Sequence, residues 1–119
     1  MEFVRVEVIM NDVKMDKLMS ALKRYKVSGM TVYKAQGCGV QYGTQEYEDV
    51  DMSEIKLLDK TVVVLVMPKE NVTHFVEYVE KELYTGHIGD GKIFVSSVEN
   101  IYRIRTGEEG YEALQESIY

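Results

Sequence analysis

Phe3-Val4-Arg5-Val6-Glu7-Val8-Ile9-Met10 is the stretch that decides the fold of this 119-residue chain. Successive residues of a strand point to opposite faces, so this stretch has two faces of different character. The wholly apolar face consists of Val4, Val6, Val8 and Met10. The other face combines the apolar Phe3 and Ile9 with the charged Arg5 and Glu7. The alternation predicts a strand that packs against a core on its apolar face.

A helix and a second strand follow this first strand. Apolar residues recur at helical spacing in the set Met15, Leu18, Met19 and Leu22. Asn11 and Asp12 precede this set and are candidate helix caps. The pair Ser28 and Gly29 then turns the chain into a strand predicted over residues 30–35.

The second half of the chain repeats this order. Residues 61–67 form a continuous apolar run of strand length, which Pro68 ends. Asn71 is a candidate cap for a second helix, whose apolar stripe is Val72, Phe75, Val76, Val79 and Leu83. Another strand begins at Lys92, and residues 108–119 are predicted to form a short terminal helix that includes Ala113 and Leu114.

This order of elements predicts an α+β fold, a ferredoxin-like β-α-β-β-α-β antiparallel sheet. Both helices should pack on one face of the sheet, with a long loop between strands two and three. Apolar residues would then lie exposed away from the helices, namely Phe3 and Ile9 of the first strand with Ile93, Ile101 or Ile104 later in the chain. Covering such residues by homo-oligomerisation is economical, so an oligomer is predicted.

Composition predicts one domain over residues 1–119 and limits the class of protein. The net charge of −6 argues against nucleic acid as a partner. No apolar run approaches the length of a membrane span, and residues 1–5 resemble a strand rather than a signal peptide. We therefore expect no direct membrane insertion. Cys38 is the sole cysteine, so we expect a reducing, cytoplasmic environment.

Two loops carry the features that suggest function. Residues 37–59 form a long segment whose five acids and one base, between Thr44 and Lys56, carry a net charge of −4. A loop of this length in a compact domain is usually functional, and this one should suit a basic partner. Residues 84–92 contain Gly86, Gly89 and Gly91, whose backbone can approach a bulky ligand closely.

Basic residues around the second loop predict an anion site. Lys92 follows the glycines directly and offers a point charge to a phosphate. Arg103-Ile104-Arg105 comes eleven residues later, and as a strand it would place both guanidinium groups on one face. The glycine loop, the lysine and the two arginines together predict an anion-binding site.

The glycine loop and the arginine motif resemble those of the PII nitrogen-regulatory signalling proteins. The resemblance covers residues 3–109 without insertion or deletion, and Pro68 also matches. The motifs that carry it are Thr85-Gly86-x-Ile88-Gly89-Asp90-Gly91-Lys92-Ile93-Phe94, Arg103-Ile104-Arg105-Thr106-Gly107-Glu108, Gly29-Met30-Thr31-Val32 and Gly37-x-Gly39-x-Gln41-x-Gly43.

The resemblance implies a homotrimer that binds ADP or ATP in the clefts between neighbouring subunits. Ile9 and Val66 would sandwich the adenine, and Arg103 and Arg105 would reach across from the neighbouring subunit. The other residues that it assigns to the site are Gly29, Met30, Thr31, Gly37, Gly39, Val40, Gln41, Lys60, Gly89, Asp90, Gly91 and Lys92. Residues 37–59 would be the T-loop that contacts target proteins, residues 84–92 the nucleotide loop, and residues 103–119 a C-terminal segment.

Departures from the family pattern bear on the ligands. Val40 and Tyr42 stand where well-studied relatives have basic residues, and Val64 stands in place of a carboxylate. Gln41 is retained as a candidate ligand for Mg²⁺ with ATP, and Lys60 as a partner for a 2-oxoglutarate carboxylate. We therefore expect ADP to bind at least as tightly as ATP, and 2-oxoglutarate is a doubtful ligand.

Changes at the tip of the T-loop alter the expected partner. Ser53 stands in place of a tyrosine that many bacterial relatives uridylylate, and Asp49 in place of the arginine that blocks ammonium channels. A transporter or metabolic enzyme with a basic docking surface is the predicted target. Two alternatives are an acylphosphatase-like hydrolase of the same fold, for which no nucleophile–base pair is evident, and a transporter-associated structural subunit that no longer senses nucleotides.

Overall fold

The structure, a computed structural model, describes residues 2–11, 15–24, 29–38, 57–86 and 91–114. Its strands are β1 (Phe3–Met10), β2 (Thr31–Gly37), β3 (Leu58–Pro68) and β4 (Lys92–Val98). Its helices are α1 (Met15–Arg24), α2 (Val72–Leu83) and the short α3 (Tyr111–Leu114). A single 3₁₀ turn (Lys69–Asn71) joins β3 to α2.

The four strands form one antiparallel sheet in the order β2-β3-β1-β4. The central strand β1 pairs with β3 from Phe3 opposite Pro68 to Met10 opposite Thr61. On its other side β1 pairs with β4, from Phe3 opposite Val98 to Ile9 opposite Lys92. The predicted ferredoxin-like arrangement is confirmed.

Both long helices cover the same face of the sheet. The residues of β1 that pack in the core are the four predicted ones, and α2 contributes Phe75, Val79 and Leu83. Phe75 is completely buried. Three assignments were wrong. Met19 of α1 is exposed while Ala21 is buried in its place, and Ile93 packs against the core rather than lying away from the helices. Phe3 lies on the face away from the helices but is buried there rather than exposed.

The boundaries of several elements differ from the prediction. Strand β2 runs to Gly37 and β3 begins at Leu58, because the two strands pair over their whole common length. Asn71 precedes α2 but makes no side-chain capping hydrogen bond. The terminal helix begins at Tyr111 rather than at residue 108, and residues 115–119 lie outside the described part of the chain.

The face of the sheet opposite the helices is here called the helix-free face. The cross-strand register assigns to it Thr31, Tyr33, Ala35 and Gly37 of β2, alternate residues of β3 from Leu58 to Pro68, Phe3, Arg5, Glu7 and Ile9 of β1, and Lys92, Phe94, Ser96 and Val98 of β4. Tyr33 and Phe94 are about half exposed there. Near the centre of this face Arg5 donates a hydrogen bond of 2.7 Å to Glu7, within an ion pair. Exposed aromatic side chains on this face agree with the expectation that it needs covering.

The segment after β4 folds into a turn, which corrects the expectation of a strand at Arg103–Arg105. Tyr102 and Glu109 form an isolated antiparallel bridge, and the Arg103 amide donates to the Glu108 carbonyl at 2.9 Å. The amide of Gly107 donates back to the Arg103 carbonyl at 2.8 Å. Gly107 has a positive φ of 73°, which favours glycine and allows the turn to close. In the described ranges, no helix has both the length and the apolar character that crossing a membrane requires.

Candidate functional site

The carboxyl end of β1 gathers a group of residues here called the lysine cluster, which consists of Ile9, Gly37, Lys60, Gly91 and Lys92. Ile9 lies opposite Lys92 in the sheet. Gly91, with a φ of 104°, approaches β1 so closely that a Cβ at this position would collide with the Ile9 carbonyl oxygen. Gly91 was predicted to let a ligand approach the backbone. In the structure, a glycine is required at this position by the close approach of two backbone segments, whether or not a ligand is bound.

Lys60 reaches the same end of the sheet from β3. Its backbone lies opposite Ala35 of β2, and its side chain is half-buried. The Lys60 ammonium donates a hydrogen bond of 2.9 Å to the Asn11 side-chain oxygen. Gly37 lies beside the Lys60 stem, since a Cβ on Gly37 would be 3.8 Å from Lys60 Cγ. Two ammonium groups thus belong to one end of the sheet, on the strands that flank β1.

A second group, here called the edge cluster, consists of Gly29, Met30, Thr31 and Val66. Thr31 begins the edge strand β2 and lies opposite Val64 of β3. Gly29 and Met30 precede it and are exposed, and Val66 lies two residues beyond Val64 on the helix-free face. Adding a Cβ to Gly29 would meet no atom within 4 Å, so its backbone is open to a ligand.

The structure does not bring Ile9 and Val66 together within one chain. Ile9 lies opposite Val62 of β3, and Val66 is four residues further along that strand. Four residues of strand correspond to about 13 Å, which is too far for two side chains that contact opposite faces of one adenine ring. Within a single subunit the predicted adenine sandwich therefore cannot form.

Arg103 and Arg105 follow the carboxyl end of β4, whereas Lys92 begins that strand. Six residues of strand separate Lys92 from Val98, a distance of about 20 Å, and the arginine segment follows Val98. The Arg103 guanidinium donates to the Ala113 carbonyl at 3.1 Å and pairs with Glu108 at 3.5 Å. These contacts hold the largely buried Arg103 side chain within its own segment, while Arg105 and Ile104 are exposed.

Some of the predicted site lies outside the described residues, namely Gly39, Val40, Gln41, Gly89 and Asp90. The same holds for residues 39–56, and so for the acidic part of the predicted T-loop. Among the residues that are described, no three His, Cys, Asp or Glu side chains are placed to hold a metal ion.

Asn11, a candidate helix cap by its sequence position, also belongs to this end of the sheet. The β1–β3 ladder ends with Met10 opposite Thr61, so Asn11 and Lys60 are the next pair of opposed residues. A polar residue directly after an alternating strand, opposite a lysine in the neighbouring strand, is the signal that points to this contact. It becomes visible only when the strand register is known.

Comparisons with known proteins agree on one family. The family model described as nitrogen regulatory protein P-II matches residues 3–108. The chain is 39% identical over 110 residues to the nitrogen regulatory protein P-II of Rhizobium meliloti strain 1021, covering 92% of this chain and 98% of the relative. It is 41% identical over 110 residues to the nitrogen regulatory protein P-II 2 of Methanothermobacter thermautotrophicus, covering 92% and 95% of the two chains.

Solved structures show the same likeness. The structure of Bacillus subtilis GlnK in complex with ATP has a TM-score of 0.77 and 32% identity, and the match covers 95% of this chain and 98% of that one. The structure of Arabidopsis thaliana PII bound to citrate has a TM-score of 0.75 and 32% identity, covering 94% and 92% of the two chains.

Proposed function

The chain belongs to the nitrogen regulatory protein P-II family, and on that basis we propose that it is a trimeric signal transducer that binds ADP and ATP between its subunits. Its T-loop, residues 37–59, would pass the nucleotide signal to a target protein, a transporter or a metabolic enzyme. Relatives in the family are regulatory proteins, which favours signalling over catalysis. The nucleotide loop would be residues 84–92, in a single domain that ends with the C-terminal segment 103–119.

The observation that carries the proposal is the division of the predicted site into separated parts. The lysine cluster and the edge cluster lie about 13 Å apart along the sheet, as judged from Ile9 and Val66. The arginine segment follows the far end of β4 from Lys92. A second copy of the chain can bring the edge cluster or the arginine segment against the first copy's lysine cluster. The separation therefore supports a site between subunits rather than within one.

Adenine nucleotides fit the character of these parts. Lys92, Arg103 and Arg105 supply positive charge for phosphate groups, and Lys92 and Arg105 are exposed. Ile9 and Val66 offer apolar surface for a base, and GlnK of Bacillus subtilis, a relative of the same fold, was solved with ATP. A charge-assisted hydrogen bond contributes about 1.5–3 kcal/mol, so a few of them support roughly micromolar binding after the cost of association.

The acidic loop and the small ligands belong to the same proposal. The net charge of −4 between Thr44 and Lys56 favours a target with a basic docking surface. Gln41 would ligate Mg²⁺ with ATP, while Val40 and Tyr42 would leave less positive charge near the terminal phosphate of ATP, and 2-oxoglutarate would add little. A cytoplasmic location is part of the proposal, because a single cysteine, Cys38, suits a reducing compartment.

Isothermal titration calorimetry with ADP and ATP tests the nucleotide site. Lys92→Ala and Arg103→Ala should each weaken binding by at least about tenfold, because each removes a charged partner from a phosphate. Two matched controls should bind as the parent does. Lys69→Ala removes an exposed lysine that pairs with Glu2, and Arg24→Ala removes an arginine that lies over Tyr78 between the helices.

Two outcomes would contradict the proposal. A parent protein that binds no adenine nucleotide removes the sensing function. Parent-like affinity in both Lys92→Ala and Arg103→Ala, with folding verified by circular dichroism, would mean that the phosphates are held elsewhere.

A further inference from the structure

Lys60 is a half-buried cation whose described partner is a neutral amide. Its ammonium donates a hydrogen bond of 2.9 Å to the Asn11 side-chain oxygen, and Asn11 is itself half-buried at the end of β1. The described ion pairs join Arg5 to Glu7, Lys69 to Glu2 and Arg103 to Glu108. Within the described ranges, no carboxylate forms an ion pair with Lys60.

The chemistry of this contact keeps Lys60 charged and oriented. An ammonium has three N–H donors, and one of them is used by Asn11. An aspartate at residue 11 would neutralise Lys60, whereas asparagine accepts the same hydrogen bond without adding negative charge. The Lys60 stem is also confined, since it lies beside Gly37. As far as the described ranges go, Asn11 therefore fixes the ammonium and leaves two donors and the full charge for another acceptor.

Lys60 and Lys92 are placed to act on one anion. Lys60 belongs to β3 and Lys92 to β4, the strands on either side of β1. Lys92 lies opposite Ile9, whereas Lys60 is level with Asn11, two residues further along β1. Two strand spacings and this displacement put their Cα atoms about 12 Å apart. A lysine side chain reaches about half that distance, so an anion that lies over the end of β1 is within reach of both ammonium groups.

We propose that Asn11 is a positioning residue that holds the Lys60 ammonium toward an anionic oxygen of the ligand. The shared chemistry is an oxyanion, which can come from the terminal phosphate of a nucleotide or from a small carboxylate. This inference rests on the proposed nucleotide-binding function. It adds to that site a residue, Asn11, that acts through Lys60 and does not touch the ligand.

A double-mutant cycle tests it. Affinities for ADP, ATP, inorganic pyrophosphate and 2-oxoglutarate, the last in the presence of Mg²⁺ and ATP, are measured by calorimetry on four proteins. These are the parent, Asn11→Ala, Lys60→Gln and the double variant. Lys60→Gln should lower the affinity for the anion that Lys60 contacts by at least about tenfold, and Asn11→Ala should lower it by about threefold or more. In the Lys60→Gln background, Asn11→Ala should change the affinity less than twofold, because its effect passes through Lys60.

Two further variants separate positioning from folding. Asn11→Ser keeps a neutral acceptor and should retain more affinity than Asn11→Ala. Asn11→Asp keeps the shape of the side chain but pairs with Lys60, and should weaken binding at least as much as Lys60→Gln. The ligand whose affinity changes identifies the source of the oxyanion, since ADP, ATP and pyrophosphate report a phosphate and 2-oxoglutarate reports a carboxylate.

The result that overturns the inference is an equal effect of Asn11→Ala with and without the Lys60 side chain. Parent-like binding by Lys60→Gln in every titration overturns it as well, while leaving nucleotide binding in place. If the parent binds pyrophosphate in an Asn11- and Lys60-dependent manner but binds no adenine nucleotide, the proposed function fails and the inference stands. If the parent binds none of the four probes, both fail.

Discussion

Replacing Gly91 with alanine tests the geometry that joins the nucleotide loop to β1. Gly91 has a φ of 104°, a conformation that residues with a side chain rarely adopt. A Cβ at this position would collide with the Ile9 carbonyl oxygen, and it would lie 3.2 Å from both the Ile9 carbonyl carbon and Met10 Cα. These are backbone atoms of a strand that is paired on both sides, so they cannot move aside without breaking the ladder.

Two other glycines separate the cost of backbone strain from the cost of the steric collision. Gly107 has a φ of 73° but open space around its Cβ position, and Gly29 has open space without a positive φ. Gly29→Ala should change stability little, and Gly107→Ala should cost about 1 kcal/mol from backbone strain alone. Gly91→Ala combines strain of about 1–3 kcal/mol with the collision, so we expect a loss of about 3 kcal/mol or more.

Thermal denaturation monitored by circular dichroism measures the difference, at one protein concentration for all variants because the stability of an oligomer depends on concentration. For a chain of this size, 1 kcal/mol corresponds to about 3–6 °C in Tm. Gly91→Ala should therefore melt about 10 °C or more below the parent, and below Gly107→Ala. If Gly91→Ala melts at or above the temperature of Gly107→Ala, the close approach of Gly91 to β1 is wrong.

Three further predictions concern assembly, packing and ligand preference. Light scattering without ligand should give about three times the 13.7 kDa chain mass, and a monomer would exclude a site between subunits. Phe75→Ala should destabilise the fold by about 3–5 kcal/mol because Phe75 is completely buried. Phe94 is about half exposed on the helix-free face, so Phe94→Ala should lower the mass measured by light scattering while keeping the circular dichroism spectrum of the parent; an unchanged mass would contradict this. Calorimetry should show ADP binding at least as tightly as ATP, and a tightening of MgATP binding by 2-oxoglutarate of tenfold or more would mean that Gln41 and Lys60 suffice for that ligand.

The sheet and its core could be predicted because each depends on a local pattern. The alternation from Phe3 to Met10 identifies the buried face of β1, and the apolar run after Lys60 identifies β3. The first residues of β3 could not be predicted, since Leu58 and Asp59 are held in the strand by pairing with β2 and not by their own preference. Met19 likewise fits a helical stripe, but the core accepts the smaller Ala21 instead.

The candidate site was predicted as a set of residues, whereas their arrangement depends on contacts that are distant in sequence. The Arg103–Arg105 alternation suggested a strand, yet hydrogen bonds to Glu108 and Gly107 close it into a turn. The pairing of Asn11 with Lys60 joins residues 49 positions apart and requires the register of β1 against β3. The division of the site between distant parts of the sheet follows from that same register.

The ion pair between Arg5 and Glu7 has a consequence for how copies of this chain recognise one another. Both charges come from one strand and compensate each other at 2.7 Å, so each copy brings a patch that is already electrically balanced. In the proposed trimer, no subunit depends on its neighbour to neutralise this patch, and its burial leaves no lone charge without a partner. At this patch, selectivity between copies must then come from shape and apolar contact. The pair should therefore add little ionic-strength dependence to assembly, and chains of related sequence that keep this patch should be able to exchange places in a mixed trimer.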